Sequence, residues 1–168
     1  MALCIRQRIF SWKETYDVTD ENQKVKYFVE GQFFSLGHKI HIYDDKHQEV
    51  AFIKEHVWTL FFKKFDIIIH GEQKGMIQEK LSFFHPHYQV DFNGWDIVGN
   101  MMEWDYTIRQ QDFLIATISR KIFSWANVFY IDTPNPDNEL LVLALALAVD
   151  AAHTDNEQAS YAAMSSYH

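Results

Sequence analysis

Near the C-terminus, Leu140-Leu141-Val142-Leu143-Ala144-Leu145-Ala146-Leu147-Ala148-Val149 places ten consecutive apolar residues on a segment made of strong helix formers. Asn135 suits the N-cap, Pro136 the first helical position, and Asp137 and Glu139 the positive end of the helix dipole, so a helix is expected over about 136–153. No polar face interrupts its middle turns, and a helix apolar all round must be buried all round. A bilayer crossing needs roughly 20 apolar residues, which this run does not reach, so the rest of the chain has to enclose it. Burial of its Leu and Val side chains is worth about 10–20 kcal/mol before opposing terms, which is large beside a net stability of roughly 5–15 kcal/mol.

Almost everything before the helix reads as short strands with period-2 alternation. They fall at 2–10, 15–19, 25–30, 38–43, 48–55, 57–62, 64–70, 74–81, 87–92, 95–101, 104–110, 112–120 and 127–132. Polar turns separate them at Thr19-Asp20-Glu21-Asn22, Asp44-Asp45-Lys46-His47, His70-Gly71-Glu72, Asn93-Gly94 and Gln110-Gln111-Asp112, with Asn93-Gly94 the strongest hairpin signal. Strands spaced about 8–12 residues apart with no helix between them predict an antiparallel sandwich or barrel.

A motif repeats along the chain. Ile9-Phe10-Ser11-Trp12 recurs as Ile122-Phe123-Ser124-Trp125, with looser copies at Lys80-Leu81-Ser82-Phe83-Phe84 and His56-Val57-Trp58-Thr59-Leu60-Phe61. These read as corners that keep aromatic rings turned inward. A closed sheet of about a dozen strands has room inside and no free edge, and the all-apolar helix is the element that fits its interior. The small residues Ala144, Ala146, Ala148, Ala151 and Ala152 thin that helix where inward Phe and Trp are expected to meet it.

The expected fold class is therefore mainly β: a closed antiparallel barrel of about twelve strands around a buried C-terminal α-helix. A single domain over 1–153 is followed by a polar tail, 154–168, that is either loose or an extension of the helix. Hydrophobic residues make up 48% of the 168, enough for one sizeable core. A net charge of −8 excludes nucleic acid as the partner, because that binding needs an excess of Lys and Arg. Met1-Ala2-Leu3-Cys4-Ile5-Arg6 lacks a secretory pattern, and one cysteine cannot pair internally; both lead to an expected cytoplasmic location. Cys4 is expected to be a small apolar strand residue.

The N-terminal strand ending in Phe-Ser-Trp, the segment from Glu30-Gly31-Gln32-Phe33-Phe34-Ser35-Leu36-Gly37 through His38-Lys39-Ile40-His41-Ile42-Tyr43-Asp44, and the final Leu/Ala helix resemble the LURP-one-related family over about residues 2–152. That family is grouped with the Tubby C-terminal domain and the phospholipid scramblases. The resemblance implies the same barrel around a central helix, and it raises two membrane roles, phosphoinositide binding and scrambling. Scramblase-like proteins carry a cysteine-rich stretch, a proline-rich leader, a calcium segment and a membrane-inserting helix. This chain has one Cys, three Pro, no EF-hand spacing and a polar Thr154-Asp155-Asn156-Glu157-Gln158 after its helix, so scrambling is not the expected activity.

Chemistry-bearing constellations are sparse. No phosphate loop, His-Glu-x-x-His or Cys-x-x-Cys pattern occurs. His38 and His41 lie three apart on a strand and so face opposite sides, while Pro86 breaks His85-Pro86-His87. No catalytic residue, metal site or cofactor is therefore expected. Asp150, at the end of the buried run, reads as the point where the helix leaves the barrel for water or a backbone donor, with a buried functional acid as the alternative. Lys54, Lys63, Lys64 and Lys80 form the densest basic group and are the candidate anion or lipid-headgroup site, read against ordinary solvated strand faces. The expected function is a non-enzymatic soluble scaffold or binding domain, meeting a protein partner or a membrane surface. The alternatives are a sensor of phosphoinositide or other anionic lipid headgroups, and a hydrolase or metal-binding protein.

Overall fold

The structure, a computed structural model, describes the chain except residues 1, 9–14, 33–36, 58–62, 81–86, 101–103, 124–125 and 166–168; at 6–8, 80, 87, 122–123, 126–127 and 153–165 it describes the backbone only. The strands are β1 (Ala2–Arg8), β2 (Thr15–Thr19), β3 (Val25–Gln32), β4 (Lys39–Asp44), β5 (Glu49–Glu55) and β6 (Lys64–Ile69), followed by β7 (Glu72–Lys80), β8 (His87–Asp91), β9 (Trp95–Asn100), β10 (Asp105–Gln110), β11 (Phe113–Phe123) and β12 (Ala126–Asp132). All neighbouring strands pair antiparallel, and β1 pairs both β2 and β12, closing the sheet into a barrel. After a 3-10 turn at Pro136–Asn138, α1 (Glu139–Ser165) runs through the middle.

Barrel height explains why the apolar run has the length it has. A six-residue strand such as β4 or β6 spans about 20 Å, and a tilt of about 40° leaves a rise of about 15 Å. The steps from Glu139 to Asp150 cover about 16 Å of helix axis. Leu141 through Val149 are accordingly all buried, none above 9% exposed, while Asp150 is only half-buried. The helical backbone continues past 153 to Ser165, along most of the segment read as either a loose tail or an extension of the helix. Its start follows expectation, with the Asn135 side chain accepting a hydrogen bond from the Asp137 N–H at 3.1 Å.

The turns expected from sequence are the hairpins of one end of the barrel, the end at which α1 enters. Asp20 and Asp44 build the same turn twice: Asp20 Oδ1 accepts from the N–H groups of Asn22 and Lys24, and Asp44 Oδ1 from those of Lys46 and Gln48. Asn93 and Gly94 both take positive φ, 46° and 65°, as a tight two-residue hairpin requires. The expected strand over 57–62 falls almost wholly outside the described residues, and Val57, its first residue, sits in a turn. The repeated corners lie on residues 9–12, 122–125, 80–84 and 56–61, so their packing also falls outside the described side chains, apart from His56 and Val57.

The described part of the wall facing the helix mixes two kinds of side chain. Inward positions are mostly β-branched: Val18, Val29, Ile40, Ile42, Ile53, Ile67, Ile77, Ile97, Ile108, Ile118 and Ile131 are all buried. Aromatics are the minority among the described residues there, with Phe65, Tyr88, Trp95, Trp104, Tyr106 and Phe129 buried in the same cluster. β-branched residues pack against the helix while favouring the strand backbone. Trp104 and Phe129, with ring centroids 4.5 Å apart, do meet the helix where Ala146 is small.

Leu143, fully buried on α1, is expected to cost about 3 kcal/mol when cut to Ala, because rigid strands on every side cannot collapse into the void. Phe113→Ser, at a side chain 72% exposed, should shift stability by less than about 0.5 kcal/mol. Urea unfolding of the two variants checks the pair, and equal effects would mean that the helix is not sheathed.

Candidate functional site

The end of the barrel from which α1 emerges holds the densest set of buried charged groups among the described residues. Gly37 takes φ +83° and leads His38 inward at the start of β4. A Cβ on Gly37 would lie 2.8 Å from Val57 Cγ2 and 3.3 Å from the Glu55 carbonyl oxygen, so only glycine fits this corner. Glu55 closes β5 in the inward register and is buried, as is His38. Glu55 Oε2 accepts from the His38 N–H at 2.8 Å and pairs with His38 Nδ1 at 2.7 Å; Oε1 accepts from Lys63 Nζ at 2.6 Å. Burial opposes the Glu55 charge, but the bonds from the His38 ring, Lys63 and the His38 backbone outweigh it and hold its pKa down to about 2. An ionised carboxylate only accepts, so Nδ1 is the protonated nitrogen of this contact. The cluster pins a corner, and its carboxylate stays ionised near neutrality.

A second buried acid, at the opposite end of the barrel, fixes the start of the helix. Glu139 Oε1 accepts from Lys26 Nζ at 2.5 Å and from the Tyr27 hydroxyl at 3.0 Å, which ties the first turn of α1 to β3. Burial first, then the Glu139 charge, raises the Tyr27 phenol well above its ordinary range. Asp150, eleven residues on, lines a gap of about 10 Å³ with Trp104, Phe129 and Ala146, at the limit for one water molecule. Its charge adds to burial in raising the pKa of Tyr106, whose hydroxyl is buried with no hydrogen-bond partner among the described residues.

Of the four lysines in the candidate anion site, the structure describes the side chains of three. Lys54 and Lys64 point outward on the paired strands β5 and β6, and Lys39 stands directly opposite Lys54 from β4. Lys54 faces Asp66 on its other side, and that carboxylate is held by His56 Nε2 at 2.6 Å and Gln73 Nε2 at 3.0 Å. Lys63 is engaged by Glu55, and the Lys80 side chain lies outside the described residues. His38 is buried while His41 lies on the outer wall, bound to Glu49 at 2.6 Å. Cys4 is half-buried in the outward register of β1, opposite Tyr130. Among the described residues, no three His, Cys, Asp or Glu side chains come together as a metal site requires.

An aromatic row on the outer wall was not anticipated from the sequence. Phe28 on β3 is directly opposite Tyr43 on β4, and His41 is directly opposite Phe52 on β5. The His41 ring stacks on Phe52 with centroids 4.6 Å apart, and Phe28 stacks on His47 at 4.6 Å and 21°. Beside them a groove of about 340 Å³ is lined by Thr15, Asp17, Phe28, Glu30, Tyr43 and His47, among others. The available signal was the register: Phe28, Tyr43 and Phe52 occupy the strand phase that faces water, just as His38 and Glu55 occupy the phase that faces the core.

The fold and these sites define a closed twelve-stranded antiparallel barrel threaded by one helix and pinned by a buried acid at each end. The model of the LURP-one-related family matches residues 1–150, and the chain belongs to that family. It is similar to an uncharacterized Bacillus subtilis (strain 168) protein, YxjI, at 23% identity over 160 residues, 95% of this chain and 98% of the relative. It shares its fold with a protein from Arabidopsis thaliana solved by X-ray crystallography, with a TM-score of 0.56 and 15% identity over 88% of this chain and 90% of that one. Among the described residues no helix is long and apolar enough to cross a membrane.

Because the folded-state pKa of Glu55 is depressed, the stability it confers is complete above its unfolded value of about 4.3 and is lost as pH falls towards 2. The urea midpoint of the wild-type chain should therefore fall across that window. Glu55→Gln should lower stability at neutral pH and show a flatter acid limb, and parallel limbs for the two proteins would refute the assignment.

Proposed function

We propose that this chain is a non-enzymatic binding domain that recognises its partner, a protein or a membrane surface, with the outside of the barrel wall. The observation that carries this reading is the contrast in free space. The gap described between helix and wall is about 10 Å³, whereas grooves of about 340 Å³ lie on the exterior. A ligand inside would have to displace α1, whose burial holds the barrel together. The buried acids also support the reading, since Glu55 and Glu139 are each neutralised by groups that fix the fold.

Amide NMR of the whole chain, titrated with phosphatidylcholine vesicles, phosphoinositide-containing vesicles and a panel of small ions, should show perturbations confined to outward strand positions. The amides of Leu141–Val149 should stay unmoved. Hydrolysis of p-nitrophenyl esters or phosphates that disappears in a folded His38→Ala variant would overturn the non-enzymatic reading.

A second reading is that Lys54, Lys64 and Lys63, with Lys80, receive an anionic headgroup. It is favoured by the outward placement of Lys54 and Lys64 on paired strands beside Lys39. It predicts salt-sensitive sedimentation with phosphoinositide vesicles that Lys54→Glu/Lys64→Glu abolishes. Unchanged sedimentation of the double variant would remove it.

A further inference from the structure

We propose that the groove on the outer wall of β2–β4 binds an organic ammonium ion, with a methylated head such as choline, against the aromatic wall formed by Phe28, Tyr43 and His47 and beside the carboxylates of Asp17 and Glu30. The inference rests on the reading of the chain as an outer-wall binding domain and names the ligand class.

Four observations converge on it. The groove, about 340 Å³, is large enough for a compact organic head. Its aromatic members sit where strand alternation otherwise places polar residues, with Phe28 and Tyr43 paired directly across the ladder and both only partly buried. Ring faces attract cations, most strongly those that shed water easily, which methylated ammonium does and a bare metal ion does not. The carboxylates stand among the rings: Asp17 is directly opposite Phe28, and Glu30 lies next in the same outward register. After burial, the charges of Glu30 and Glu49 raise the Tyr43 phenol above its ordinary range, which places negative charge at the rim of the ring.

The charge balance selects the sign of the ligand. Among the described residues neither Asp17 nor Glu30 has a salt-bridge partner, and no Lys or Arg lines the groove. Lys26, which shares the outward register with Phe28, is drawn to Glu139 instead. Two carboxylates on a chain of net charge −8 repel an anion. A neutral sugar could stack on the rings but would gain nothing from the two carboxylate charges, so the binding of a cation and of its uncharged isostere separates the two.

Amide NMR of the full chain with choline chloride, against sodium chloride at equal ionic strength, reads the site directly. Choline should give saturable shifts at Asp17, Phe28, Glu30, Tyr43 and His47, and the neutral isostere 3,3-dimethyl-1-butanol should bind at least roughly tenfold more weakly. Asp17→Asn/Glu30→Gln should weaken choline roughly tenfold and leave the isostere unchanged, while Tyr43→Leu should weaken both. All three positions are on the outer wall, and an unchanged dispersion of the core amides verifies folding. Equal binding of choline and the isostere, non-saturating shifts, or indifference of choline to the double substitution would overturn the proposal. Binding of phosphatidylcholine vesicles that choline competes away would assign the ammonium to a lipid headgroup, and a choline response without vesicle association would assign it to a free cation. If choline fails while phosphoinositide vesicles perturb Lys54 and Lys64, the ammonium site falls and the outer-wall binding domain stands.

Discussion

Everything in this molecule depends on one mutual burial. A helix with no polar face cannot stay in water, and a sheet with unpaired edge N–H and C=O groups cannot end without exposing them. Wrapping the sheet around the helix removes both costs at once. The match is quantitative as well as topological, because the rise of a tilted six-residue strand and the length of the apolar run agree at about 15 Å. Ile and Val, present in most of the described inward positions, pack between them.

A greasy rod in a greasy tube has little to fix its height or rotation, and the buried acid on its first turn supplies that definition. Glu139 binds Lys26 and Tyr27 where α1 enters, so the first turn is registered against β3. At the exit end, Glu55 gathers the His38 backbone, the His38 ring and Lys63 into one corner, closing the gap between β4, β5 and the segment before β6. Buried carboxylates are costly without donors, and leaving either one unpaired would penalise the fold directly. Their pairing is thus spent on position.

The exterior is uneven. One sector, from β4 to β6, carries outward lysines interleaved with Asp66. The neighbouring sector, from β2 to β5, carries a row of rings with carboxylates among them. Strand alternation allows this, because the outward phase of each strand is free of the volume constraint that the helix imposes on the inward phase.

The barrel, its closure around the helix, the Asp20 and Asp44 turns and the Asn93-Gly94 hairpin were all legible in the residues, since each depends on neighbours within a few positions. The meeting of inward rings with small helix residues was legible at Ala146, where Trp104 and Phe129 stand. The pairing of His38 with Glu55 spans 17 residues, and that of Lys26 with Glu139 spans 113, so no local pattern could reveal either. Sequence by itself determined that a buried rod needs a closed antiparallel sheath, because period and polarity are properties of the chain. Only the tertiary structure decided which outward side chains meet, because that depends on register between strands. The irregularities at Val18/Thr19 and Ile42/Tyr43 show that register is set by pairing across the sheet and not by alternation along it.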